Sequence, residues 1–136
     1  MKTETRSNTN RIVRGILVVL SLLFFICVVI QVFLAGIATF VNYGNWELHT
    51  TFIHYFEFTP IIMLILSFFV RIPKKIRWDY AGLYLLIIMQ YVTTQLTASA
   101  PFVAAIHPVI AMILFWRSLV TVKASKKLIQ KNNYRS

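Results

Sequence analysis

Residues 16–41, ILVVLSLLFFICVVIQVFLAGIATFV, decide the fold. A helix rises about 1.5 Å per residue, so roughly 20 apolar residues cross the ~30 Å hydrocarbon core of a bilayer. This run is longer than that, carries no charged side chain and has Gln31 as its one amide. Its apolar residues follow neither a helical nor a strand period, which argues against one face packed on a soluble core. Ile12 and Val13 extend the block upstream past Arg14 and Gly15, giving a first helix over 12–41. A cleaved leader is not expected, because the apolar stretch before Ala35 is about 19 residues where a signal core is about 7–15.

The rest of the chain repeats the pattern. Asn42-Tyr43-Gly44-Asn45 is a turn cluster, and a second block runs over 46–70. Arg71 to Arg77 is a basic loop containing Pro73, followed by a third block over 78–96. Thr97 to Pro101 is a turn, and a fourth block covers 102–122. Residues 1–11 read as a polar cytoplasmic tail and 123–136 as a basic one, flanking a single transmembrane domain over 12–122. The chain is 58% hydrophobic and only 13% charged, about half the charged fraction of a soluble domain.

The charges set an orientation. Of 14 Lys and Arg residues, four precede the first block, four lie in the second loop and six lie from Arg117 onward. The first and third loops have none. Positive charge collects on the cytoplasmic side of membrane proteins, so both ends are expected inside, after four crossings. Short loops make successive helices antiparallel neighbours. The expected fold is therefore all-α, an integral membrane up-down four-helix bundle, N-in and C-in, in a bacterial cell membrane. The net charge of +10 is expected to meet anionic lipid headgroups, not nucleic acid. The one cysteine, Cys27, sits in mid-block and reads as a small hydrophobe; no Cys-x-x-Cys-His is present for covalent haem attachment. No convincing internal repeat stands out.

Hydrocarbon penalises unpaired polar groups, so those inside the blocks ask for a reason. On this topology Gln31, His49, His54, Glu57, Gln90, Gln95 and His107 all fall in the outer half of the bundle, with Thr93 and Thr94. The inner half looks almost featureless, and Arg117 is expected to snorkel to the cytoplasmic surface. Histidines on two helices of a bundle are suited to axial ligation of haem b, with Phe52, Tyr55, Phe56, Tyr91, Phe102 and Phe115 as candidate walls. Depth along straight helices sets His54 level with His107 and His49 nearer the outer surface. Other readings use the same residues: His54 and Glu57, three apart on a helix, as a hydrogen-bonded or proton-carrying pair, and Pro60 as a kink whose freed Phe56 carbonyl is repaired locally.

Gln31-Val-Phe-Leu-Ala-Gly36, Trp46-Glu-Leu-His49, Gln90 and Ile106-His107-Pro108 resemble a family of small bacterial four-helix membrane proteins of unknown function. More distantly the pattern is similar to one half of haem A synthase, although this chain has half that enzyme's length and lacks its cysteine-bearing loop. That resemblance implies haem between His107 and His49, where depth favours His54; both stay open. The leading expectation is a cytochrome-like protein that binds haem b for electron transfer or haem handling. An accessory or assembly subunit of a membrane complex, and an oligomeric proton or solute transporter using His54 and Glu57, are the alternatives. No hydrolase or nucleotide-binding motif is present.

Overall fold

The computed structural model describes the backbone of residues 2–133 and the side chains of residues 8–129. The side chains of Lys2, Arg6, Lys131 and Arg135, part of the two basic tails, lie outside that range. The chain is helical throughout: α1 (Lys2–Phe40), α2 (Trp46–Phe52), α3 (Thr59–Phe68), α4 (Lys74–Gln95), α5 (Pro101–Ala104) and α6 (His107–Asn133). Single 3-10 turns lie at Tyr43–Asn45 and Ile53–Tyr55.

Four columns pack in a ring. α1 packs on α2, α3 and α6, and α4 packs on α3 and α6, so chain order is also spatial order, with α6 closing the ring onto α1. The two loops at 41–45 and 96–100 mark one end, the loop end. The 69–73 connection and the C-terminal part of α6 mark the other, the basic end. Three stretches, Asn8–Phe40, Tyr43–Phe68 and Pro101–Ile129, are long and apolar enough to cross a membrane. α4 has the length, at 22 residues, but Lys74, Lys75, Arg77 and Asp79 crowd its first turns and dilute its apolar character.

The helices exceed the blocks at both termini. α1 begins ten residues before Ile12 and α6 runs eleven past Val122, because neither 2–14 nor 109–133 contains a glycine or proline that interrupts the ladder before its apolar part. The second and fourth columns, by contrast, are broken. In each, a new helix starts one residue before a proline, Pro60 in α3 and Pro108 in α6. Proline has no N–H for the carbonyl four residues back and its ring clashes with it. The Phe56 carbonyl takes the Thr59 N–H instead, at 3.0 Å.

The basic end is the tightly packed one, against the expectation of an inner half without features. Leu17, Phe24, Met63, Tyr80 and Leu83 are fully buried, and so are Ser21, Ser67, Ser118, Thr121 and Ser125. Ser21 donates to the Leu17 carbonyl at 2.7 Å, and Ser125 lies 3.0 Å from both Ser21 and the Tyr80 hydroxyl. Serines read as small residues in an apolar run; their pairing across α1, α4 and α6 is tertiary. Arg117 does not simply snorkel, for it donates to Asp79 across α4 and α6. Arg77 reaches the Ser67 and Val70 carbonyls at 3.1 and 3.3 Å, and Arg14 reaches the Arg71 carbonyl at 2.8 Å. Both thereby satisfy acceptors left over where α3 ends.

Candidate functional site

α2 lies against α1, and that contact fixes His49. The Gln31 amide donates to the His49 carbonyl at 2.7 Å, and His49 Nδ1 lies 3.0 Å from the Gln31 carbonyl. A carbonyl only accepts, so Nδ1 carries the proton and Nε2 keeps its lone pair. Trp46 stands edge-on to the ring, 5.4 Å between centroids. Gln31 Oε1 is buried and has no partner among the described residues.

His107 opens α6 and meets α4. Its Nδ1 is 3.0 Å from the Thr93 hydroxyl. That hydroxyl has one proton and two carbonyls within reach, Gln90 at 2.8 Å and Met89 at 3.1 Å, so toward the ring its oxygen is free to accept. The Gln90 amide fits with its oxygen on the Ala111 N–H at 3.0 Å and its nitrogen 3.1 Å from the His107 carbonyl and 2.9 Å from Nδ1. Two partners thus compete at Nδ1. Thr93 takes its proton and leaves the lone pair on Nε2; Gln90 offers a proton and places the ring proton on Nε2. Neither Nε2 takes part in a hydrogen bond among the described residues.

The two halves of this layer echo each other. In each helical hairpin a glutamine donates to the carbonyl of a histidine on the next column, Gln31 to His49 and Gln90 to His107, at separations of 18 and 17 residues. The repeat that the sequence hides is therefore present at this one level.

The remaining candidates gather elsewhere. His54 Nδ1 is 3.2 Å from Glu57 Oε1 and 3.3 Å from the Tyr91 hydroxyl, and Tyr91 donates to Glu57 Oε2. The His54 side chain is 61% exposed. The depth argument for His54 assumed one straight second helix, and the 3-10 turn at Ile53–Tyr55 breaks that assumption. Gln95 is exposed at the last residue of α4 and bonds to none of the other candidates. Of the aromatic walls, Phe102 at 92% exposed and Tyr55 at 80% enclose nothing. Phe56 packs on Phe24 and Phe52, and Phe115 on Phe25. Thr93 is the member that sequence reasoning left without a role, though its place three residues after Gln90 on α4 was a usable signal.

No group of three or more His, Cys, Asp or Glu able to hold a bare metal ion occurs among the described residues. Two imidazoles with anchored Nδ1 atoms suit a different acceptor, a metal whose four equatorial ligands come from a macrocycle. The donor set and the orphaned Gln31 oxygen are compatible with a haem.

Neither the curated proteins nor the solved structures contain a match to this chain. A family model described as a family of unknown function, DUF6220, matches residues 31–98. The matched stretch begins at Gln31 and takes in His49, His54, Glu57, Gln90, Tyr91 and Thr93, stopping short of His107. With half its length so matched, the chain belongs to the DUF6220 family.

Proposed function

We propose that this chain is an integral protein of the bacterial plasma membrane, crossing it four times with both ends in the cytoplasm, and that it holds haem b between His49 and His107. The reading rests on helix lengths and on the gathering of all 14 basic residues in the segments of one side, with none in the two loops of the other. The distant similarity to half of haem A synthase points the same way. The observation that carries the haem reading is the reciprocal Gln31–His49 pair. It holds one imidazole with a bare Nε2 on the column diagonal to that of His107.

The chain's own part is orientation. The Gln31 carbonyl fixes the His49 tautomer and ring orientation, as outer-shell acceptors do for ligating histidines. Thr93 does the same for His107 when it holds the Nδ1 proton. Gln90 pulls the other way, so a competent His107 ring is one released by Gln90 to Thr93. Bound haem would supply a one-electron centre, which suits electron transfer or haem handling.

The test is an absorption spectrum of detergent-purified protein expressed with haem supply. A Soret band is expected, lost in His49→Ala and in His107→Ala and kept in His54→Ala. A protein that stays colourless, or that keeps its spectrum in His49→Ala, refutes the assignment.

A further inference from the structure

The His54–Glu57–Tyr91 cluster is not used by the site above. Tyr91 on α4 joins it to the broken second column, donating to Glu57 Oε2 and lying 3.3 Å from His54 Nδ1. On the proposed membrane reading Glu57 lies within the second span, between Trp46 and Val70. An ionisable group inside a span is costly and marks function by default. The cluster is satisfied internally on one side only. His54 Nδ1 faces Glu57 and Tyr91, while Nε2 bonds to nothing among the described residues and the ring is largely exposed. Tyr55 and Phe58, which follow His54 and Glu57 in sequence, are both exposed.

We infer that this outward imidazole edge, backed by Glu57 and Tyr91, binds the head group of a lipid-soluble quinone or hydroquinone. The chemistry fits both forms of such a ligand. A neutral His54 that donates from Nδ1 to Glu57 presents a bare Nε2, which accepts from a hydroquinone hydroxyl. A protonated His54, paired with the same carboxylate, presents Nε2–H to a quinone carbonyl. The exposed Tyr55 and Phe58 rings add aromatic surface on the same short segment, and on the proposed membrane reading a ligand dissolved in the lipid reaches an exposed face without crossing the bundle. A water-soluble ligand of the same polarity would have to leave water to arrive there.

Binding does not depend on the haem reading, so the two can fail separately. The probe is decylubiquinone, titrated into haem-free wild-type protein in nanodiscs, with His54→Ala, Glu57→Gln and Tyr91→Phe alongside. Saturable binding is expected, weakened about tenfold in His54→Ala, as for one hydrogen bond lost. Glu57→Gln is expected to weaken it by a similar factor, because the ring loses its charged backing. The exposed His54 is not part of the packed core, so its substitution leaves the melting temperature unchanged. Wild-type and His54→Ala proteins with equal affinity overturn the inference, as does binding lost in His49→Ala instead. Absence of saturable binding in the wild type overturns it too, whatever the Soret spectrum shows.

Discussion

The Asp79–Arg117 pair offers the sharpest test of how the bundle is held. It links the start of α4 to the middle of α6, the two helices that bring Thr93 and Gln90 to His107 at the opposite end. The Asp79 side chain is 6% exposed and that of Arg117 40%. The partners are therefore unequal: removing the arginine strands a buried carboxylate, whereas removing the aspartate leaves a cation that reaches solvent. Breaking a fully buried pair from one side costs about 3–5 kcal/mol. Solvent at Arg117 screens part of this, so Arg117→Met is expected to cost about 2 kcal/mol, roughly a 30-fold shift in the folding equilibrium. Asp79→Asn keeps a side-chain acceptor for the guanidinium and should cost about 1 kcal/mol or less. The double variant Asp79→Leu, Arg117→Met, with Asp79→Leu alone to close the cycle, removes both charges from a mostly apolar setting and should recover most of the loss. The assay is reversible unfolding in mixed detergent micelles, followed by tryptophan fluorescence, since Trp78 and Trp116 directly precede the two partners. A coupling energy of about 1–2 kcal/mol from the cycle is the expected outcome. If Arg117→Met is neutral, or if the double variant is as destabilised as the two single losses summed, the pair does not hold α4 to α6.

Two further outcomes follow from the packing and the charges. Tyr80→Phe leaves the buried Ser125 hydroxyl short of one partner and should destabilise the bundle by about 1 kcal/mol, in the range of interhelical hydrogen bonds, with no change in any haem spectrum; a neutral result in the same unfolding assay would show that the serine–tyrosine network is incidental. In a Cys27→Ala background, a membrane-impermeant maleimide should label Ser99→Cys in intact cells and Lys126→Cys only after lysis, and labelling of Lys126→Cys in intact cells would reverse the proposed topology.

The block pattern made the four columns legible because span length and apolar composition are one-dimensional properties. Residues 16–41 could be read as a long helix without knowing any neighbour. What stayed hidden depended on pairing. Ser21, Tyr80 and Ser125 come from three columns and lie as much as 104 residues apart, so nothing local announces that they meet. Asp79 reads as one more charge at a helix start until Arg117 is seen beside it. The layer of polar residues was visible, yet its division in two was not. Depth estimates treat helices as straight rods, and Pro60 breaks that premise where His54 and Glu57 sit. Pro60 itself was legible as a kink. That the 3-10 turn before it would put His54 with Tyr91, and that His49 would bind back to Gln31, needed three dimensions.

The two prolines and the two glutamines belong to one construction. Pro60 and Pro108 each start a fresh helix in an even-numbered column, while α1 and α4 are unbroken. Each unbroken helix then lends a glutamine to the carbonyl of the histidine on the column that follows it. Interrupted hydrophobic segments in corresponding positions of two halves are the pattern by which membrane bundles place ligand sites near their interior, since broken ladders need polar partners and an interior cleft can supply them. Simple kink repair would need a glutamine beside Phe56 and Ala104, the carbonyls that the prolines orphan. The amides instead hold His49 and His107, and the Phe56 carbonyl is already met by Thr59. The side-chain amides thus pin the backbone that carries each imidazole, twice over, in a chain whose two hairpins otherwise share little sequence. Packing alone does not require that duplication, and the proposed haem site would use it, because it sets both histidine-bearing turns against the unbroken helices.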